Sequence, residues 1–311
     1  MTVSLCAMVA PAQERGMMTL DLEVTEPEAL QGPQKYAVIV NGYADSSSFY
    51  NNISFVHDML LEKGYKEENI IILHDHGEDP DVYVEDRPDG DPKDSGSVRG
   101  ERVTSIPGYT FEARSDKIVD GPAYKSDVFD ALDTMAEKAR PEDEFFFYST
   151  DHGGTKGGES TICLRKEGAA GWWGIDEITV SEFQKHVDKI KSEKQVLVFD
   201  QCHSGGFADA LGNGYRIAIS ACSADESSYI AHPMDGFPDA LFSAMRGRDW
   251  EGNPVEADFN GDGKVSIAEA FQYALENDPY APGNGGRYEE HPQINTEIEA
   301  DSVFLGDDEK A

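Results

Sequence analysis

The sequence predicts an α/β fold built on a mostly parallel central sheet with helices on both faces. Three observations predict it. Short runs of Val, Ile, Leu and Phe alternate with helical patterns, each run ends in polar loop residues, and 311 residues that are 39% hydrophobic can bury one large core. The runs are Lys35 to Asn41 (KYAVIVN), Asn69 to Leu73 (NIIIL), Glu144 to Thr150 (EFFFYST) and Lys194 to Asp200 (KQVLVFD), with a weaker fifth from Tyr215 to Ser220 (YRIAIS). Near-continuous apolar runs suit strands that are buried on both faces.

The helices follow from spacing. Phe49, Ile53, Val56 and Leu60 share one helical face, and Gly64 lies just beyond as a stop. Ser126 to Arg140 repeats the device with Val128, Phe129, Leu132, Met135 and Ala136. Thr179 with Glu182 three residues on forms a capping box, which satisfies the free amides at a helix start. Pro238 to Arg246 reads as a further helix.

Other stretches are not core. His74 to Tyr124 (74–124) is rich in Asp, Gly, Pro and Ser and reads as an acidic insertion: a lid, an edge hairpin or a cleavable linker. Residues 1–34 form an N-terminal arm or a signal remnant, with a short apolar stretch and an Ala-Pro-Ala run but no basic start. The domain then runs from 35 to 292, and 293–311 is an acidic tail. This arm is compatible with an extracytoplasmic location, which the sequence leaves open, as it does the oligomeric state.

Charge narrows the partners. With 60 Asp and Glu against 26 Lys and Arg, the net charge of −34 repels phosphate backbones and anionic lipid, so no nucleic-acid partner is expected. It favours cationic ligands or peptides, or simply a well-solvated surface. No stretch reaches the roughly 18 consecutive apolar residues that would suggest membrane insertion. The four cysteines, Cys6, Cys163, Cys202 and Cys222, are too few and scattered for a disulfide scaffold, and none forms a CxxC pair.

Chemistry concentrates after the third and fourth runs. His152 and Cys202 each lie two residues past a buried strand, and in a parallel sheet those ends share the edge where ligands bind. Asp151-His152-Gly153-Gly154 allows a sharp turn and a close approach to substrate, and Gly153 can offer its amide. Asp200-Gln201-Cys202-His203-Ser204-Gly205-Gly206 puts the thiol on a turn before a short helical run, Phe207 to Leu211, where a helix start favours thiolate. The Gly153 and Cys202 amides together would hold an oxyanion, worth about 3 kcal/mol per donor. Cys163 and Cys222 read as inert core thiols. A second pair, His76-Gly77, follows the second run but opens the acidic insertion, and His203 sits beside the thiol on a turn where adjacent side chains diverge. Trp172-Trp173 reads as a groove wall or as packing.

A hydrophobic run ending in His-Gly, followed by one ending in Asp-x-Cys-His-Ser-Gly and then by SACSADESSY, resembles the metacaspase and legumain branches of the caspase-like cysteine peptidases. The resemblance spans roughly residues 35–292 and implies a caspase-like sandwich, a Cys–His dyad with no obligatory third member, and cleavage after a defined P1 residue. It further implies that Asp200 lines the P1 pocket, with Asp45 and the Asp225-Glu226-Ser227-Ser228 run contributing. Asp45 and Asp225 also suit turns. Legumain-like enzymes that take Asn carry a basic residue after the first strand. Here NGYADSSSFYNN has none, which favours Arg or Lys at P1 through charge-assisted bonds.

One further motif stands apart. Asp258, Asn260, Asp262, Lys264, Ser266 and Glu269 occupy positions one, three, five, seven, nine and twelve of an EF-hand loop, Lys264 through its carbonyl, with Gly263 at the sharp turn. A Ca2+ ion that clips the C-terminal helix or regulates the protein is the expected cofactor, and none is needed for the chemistry. The plainer reading is an Asp/Asn/Gly turn. The sequence therefore reads as a cysteine endopeptidase acting on peptides or proteins. The alternatives are an Asn-specific peptidase, a transpeptidase or ligase, and a catalytically inactive calcium-dependent binding protein on the same scaffold.

Overall fold

The computed structural model describes residues 32–42, 47–77, 117–168, 174–230, 236–284 and 288–306. Most of the N-terminal arm, Cys6, Asp45, Trp172-Trp173 and most of the acidic insertion lie outside these residues.

Six strands form the central sheet: β1 (Lys35–Asn41), β2 (Ile70–His74), β3 (Glu144–Thr150), β7 (Lys194–Phe199), β8 (Arg216–Ser220) and β9 (Gln293–Asn295). Their order is β2-β1-β3-β7-β8-β9. The first five pair in parallel and β9 closes the edge antiparallel to β8. All five predicted runs are strands of this sheet, with ends shifted by one residue at β2, β7 and β8.

The pleat explains why the runs are apolar throughout. Ala37 and Ile39 face one core with Phe146, Tyr148, Val196 and Val198, while Val38 and Val40 face a second with Phe145, Phe147, Leu197 and Phe199. Helices α1 (Ser47–Glu62), α5 (Phe237–Arg246) and α6 (Ile267–Asn277) cover the first face. The second is covered by α2 (Lys125–Lys138), α3 (Val180–Val187) and α4 (Gly205–Leu211). The α2 stripe buries Val128, Leu132 and Met135 as expected, with Ala131 added and Phe129 and Ala136 only partly covered. The predicted capping box is formed: Thr179 Oγ1 accepts the Glu182 amide, and the Glu182 carboxylate accepts the Thr179 amide at 3.0 Å.

A second, antiparallel sheet of β4 (Gly153–Lys156), β5 (Glu159–Arg165) and β6 (Ile175–Thr179) lies over the carboxyl end of β3. Its first hairpin turns at Gly157 and Gly158, both at positive φ. The described end of the acidic insertion returns beside β2, where Asp120 donates its amide to Ile72 O and Gly121 bridges Leu73. No helix among the described residues is long and apolar enough to cross a membrane.

Candidate functional site

β3 and β7 are neighbours in parallel register, Ser149 opposite Phe199, so the segments carrying His152 and Cys202 leave the sheet on the same rim. They also touch. A Cβ added to Gly153 would sit 2.0 Å from Cys202 O, a distance no side chain tolerates, so the His152 turn lies directly on the thiol turn only because residue 153 is glycine. Buried Gln201 ties the two turns together by accepting the Ser149 hydroxyl at 2.8 Å.

His152 projects from a strained turn. Asp151 takes φ 98°, a region that side chains other than glycine rarely enter, and such strain concentrates at functional sites. The buried Asp151 accepts the His152 amide at 2.6 Å, and its Oδ1 lies 3.7 Å from His152 Nε2. The imidazole is half exposed and meets the Phe49 ring edge-on at 6.0 Å. This ring is an α1 contribution that spacing alone assigned only to packing.

Cys202 is half buried, on the turn between β7 and α4, and its Sγ points to Ser228 O at 3.7 Å. The other described cysteines are of a different kind. Burial pushes the Cys163 thiol up to about 12 and the Cys222 thiol up to about 11, so both stay protonated and inert at neutral pH. His203 is turned away from catalysis: its amide donates to Glu226 O and its Nδ1 lies 3.0 Å from Ala224 O. His76 pairs instead with the Tyr124 hydroxyl at 3.2 Å.

The expected P1 residues separate. Asp200 is buried at the end of β7, its Oδ2 accepting the hydroxyls of Thr150 at 2.7 Å and Tyr148 at 3.2 Å, and burial pushes its carboxyl up to about 6. Asp225 is exposed and accepts the Ser223 hydroxyl within its own turn, and Ser227 is exposed beside it. It is Ser228 whose carbonyl reaches the thiol. Sequence reasoning missed two fully buried acids, Asp278 at the end of α6 and Glu290. Tyr229 donates its amide to Glu290 Oε2 at 2.6 Å. They lie in loops without periodicity, so only the fold shows that they are buried.

In the Asp258–Glu269 loop the donors turn onto the loop's own amides. Asp258 accepts from Gly261, Asp262 and Gly263, and Asn260 Oδ1 accepts from Asp262. Glu269 accepts from Phe259, Asn260 and Ser266, making with Ser266 a capping box for α6. Gly263 takes φ 89°, which its position in the turn demands. Among the described residues, no group of three or more His, Cys, Asp and Glu side chains is arranged to hold a metal ion.

The Peptidase C13 family matches residues 124–253, a stretch that contains both turns. The chain is also similar to the vacuolar-processing enzyme beta-isozyme of Arabidopsis thaliana, 26% identical over 254 residues, which cover 72% of this chain and 47% of the relative. It thus spans about half the length of the curated relative it matches.

Proposed function

The relationships of this chain lie in the caspase-like cysteine peptidase superfamily, on its legumain-like branch, and from that premise we propose that it is a cysteine endopeptidase using Cys202 and His152. The observation that carries the proposal is the contact of the Gly153 and Cys202 backbones at the shared end of β3 and β7. Cys202 Sγ gives its proton to His152 and attacks the scissile carbonyl, while the amides of Gly153 and Cys202 receive the oxyanion. His152 then protonates the leaving amine. Water, activated by the same imidazole, hydrolyses the thioester.

At P1 we favour Arg or Lys, supported by the buried carboxylate of Asp200 next to the nucleophile turn. The second reading is Asn, which the legumain branch favours. Turnover of matched fluorogenic peptides ending in Arg, Lys, Asn or Asp tests both. Cys202→Ala and His152→Ala should abolish cleavage, and full turnover by Cys202→Ala would remove the mechanism. An added amine nucleophile, with mass spectrometry of the products, separates hydrolysis from ligation.

A calcium ion at the Asp258–Glu269 loop is part of the same proposal, supported by the all-oxygen character of Asp258, Asn260, Asp262, Ser266, Glu269 and the Lys264 carbonyl. Bound there, it would brace the start of α6 and take no part in peptide cleavage.

A further inference from the structure

His203 follows the nucleophile, half-buried, and holds φ 62°, the left-handed region that His enters more readily than most side chains. In that conformation it makes two bonds to one segment: its amide donates to Glu226 O at 2.8 Å, and its Nδ1 lies 3.0 Å from Ala224 O. A carbonyl only accepts, so Nδ1 carries the hydrogen, as it does both in the matching neutral tautomer and in the imidazolium. The segment so held runs on to Ser228, whose carbonyl lies 3.7 Å from Cys202 Sγ. The wall beside the thiol is therefore fastened to the nucleophile's own chain neighbour.

The segment is stiff enough to transmit that fastening. The Ser223 amide donates to Glu226 Oε2 at 3.1 Å and the Glu226 amide to Ser223 O at 3.3 Å, which closes the turn on itself. Glu226 also accepts the His291 amide at 3.1 Å, and its Oε1 lies 2.6 Å from His291 Nδ1, so the outer side is tied to the chain entering β9. Beneath the turn there is no spare room: a Cβ on Gly205 would lie 2.5 Å from the Ala224 nitrogen and 2.6 Å from the Ser223 carbonyl carbon. Gly205 opens α4, so residues 203 and 205 grip the segment at two points just past the thiol. These contacts commit His203 to the wall, and a wall displaced by about 1 Å misplaces a bound substrate.

We propose that His203 is a positioning residue, which fixes the 223–228 segment as one wall of the substrate groove beside Cys202. This rests on the peptidase reading and adds a residue to it. The test uses the full chain with His203→Ala, His203→Asn and Glu226→Ala. Asn tolerates the left-handed region and brings an amide donor close to the place of Nδ1, whereas Ala has no donor. Two labels of Cys202 are compared: iodoacetamide, which needs no groove, and a peptidyl acyloxymethyl ketone, which does. His203→Ala should slow the ketone about tenfold, the scale of one lost hydrogen bond, and leave iodoacetamide within about twofold. His203→Asn should recover most of the ketone rate. In peptide turnover the same loss should appear as a higher KM with kcat within about threefold. Glu226→Ala loosens the outer side, leaves the nucleophile turn intact and should shift ketone rate and KM the same way. Ketone labelling of His203→Ala at the wild-type rate, or of Glu226→Ala where the first variant does not fold, overturns the proposal. So does a loss of iodoacetamide labelling in His203→Asn as deep as that in His152→Ala, which would make His203 the base. Ketone labelling that depends on His203, in a chain that cleaves no peptide, keeps the wall and removes the hydrolase.

Discussion

Two acidic regions of this molecule behave in opposite ways. Asp200, Asp278 and Glu290 are buried, and the carboxyls of Asp200 and Glu290 are pushed up to about 6 and about 9. In the Asp258–Glu269 loop, burial also pushes Glu269 up, but hydrogen bonds from Ser266 and the Asn260 amide outweigh it and hold the carboxyl below its ordinary value. The difference teaches that the surroundings of a carboxyl, and not its burial alone, set the direction in which its acidity moves. What matters is whether backbone donors have already satisfied the charge. The loop carboxylates are supplied with amides, whereas the buried Glu290 Oε1 has no hydrogen-bond partner.

The largest expected effect separates the regions by chemistry. Cys202→Ala should lower peptide turnover by at least about a thousandfold and His152→Ala by about 10²–10⁴-fold, while Asp258→Asn leaves turnover within a few-fold. Steady-state kinetics at one calcium concentration checks this. Comparable losses at both regions would erase the distinction.

Next comes the support beneath the rim. Phe199 ends β7 stacked on Phe207 at 4.6 Å, with Phe147 and Phe183 each at 5.5 Å. Phe199→Ala should cost about 3–5 kcal/mol in denaturant unfolding, the usual toll of a large buried cavity. A loss below 1 kcal/mol would mean that the rim does not depend on this cluster.

Smaller effects belong to the loop. Ser266→Ala removes the α6 cap and should destabilise by about 0.5–2 kcal/mol. If calcium binds as proposed, chelation should lower the melting temperature of the wild type and barely move that of Glu269→Gln. Equal shifts in both would leave the loop a cap alone.

The most diagnostic effect is in the pH dependence of stability. Glu290 keeps its proton in the folded state up to about 9, against an ordinary value of 4.5, so the folded chain binds the extra proton between these limits. Stability from this group is therefore full below pH 4.5 and declines as pH rises toward 9. Glu269 has the reverse sign: its contribution is present above 4.5 and is lost as pH falls through its lowered folded value. Glu290→Gln should flatten the alkaline limb of a melting-temperature profile, and Glu269→Gln the acid limb. Exchange of those outcomes would refute the contrast.

Much of this was legible in the sequence because strands buried on both faces leave continuous apolar runs, as KYAVIVN and EFFFYST do. The nucleophile rim was legible for the same reason, since the position of a motif relative to a buried strand implies its place on the sheet. β5 and β6 were not, as their mixed sequences ESTICLR and IDEIT carry neither a continuous run nor clean alternation. Ser266 and Glu269 show the same Ser/Thr-x-x-Glu spacing as Thr179 and Glu182, yet the calcium-loop pattern masked the cap. Asp278 and Glu290 carry no local signal, because their burial depends on which segment the fold lays beside Tyr229.

The most direct test is covalent. Incubation of the chain with peptidyl acyloxymethyl ketones bearing Arg or Asn at P1, followed by peptide mapping, locates the reactive thiol. The account predicts a single adduct on Cys202 that forms far more slowly in His152→Ala. An adduct on Cys163 or Cys222, or labelling of Cys202 at the same rate without His152, would contradict it.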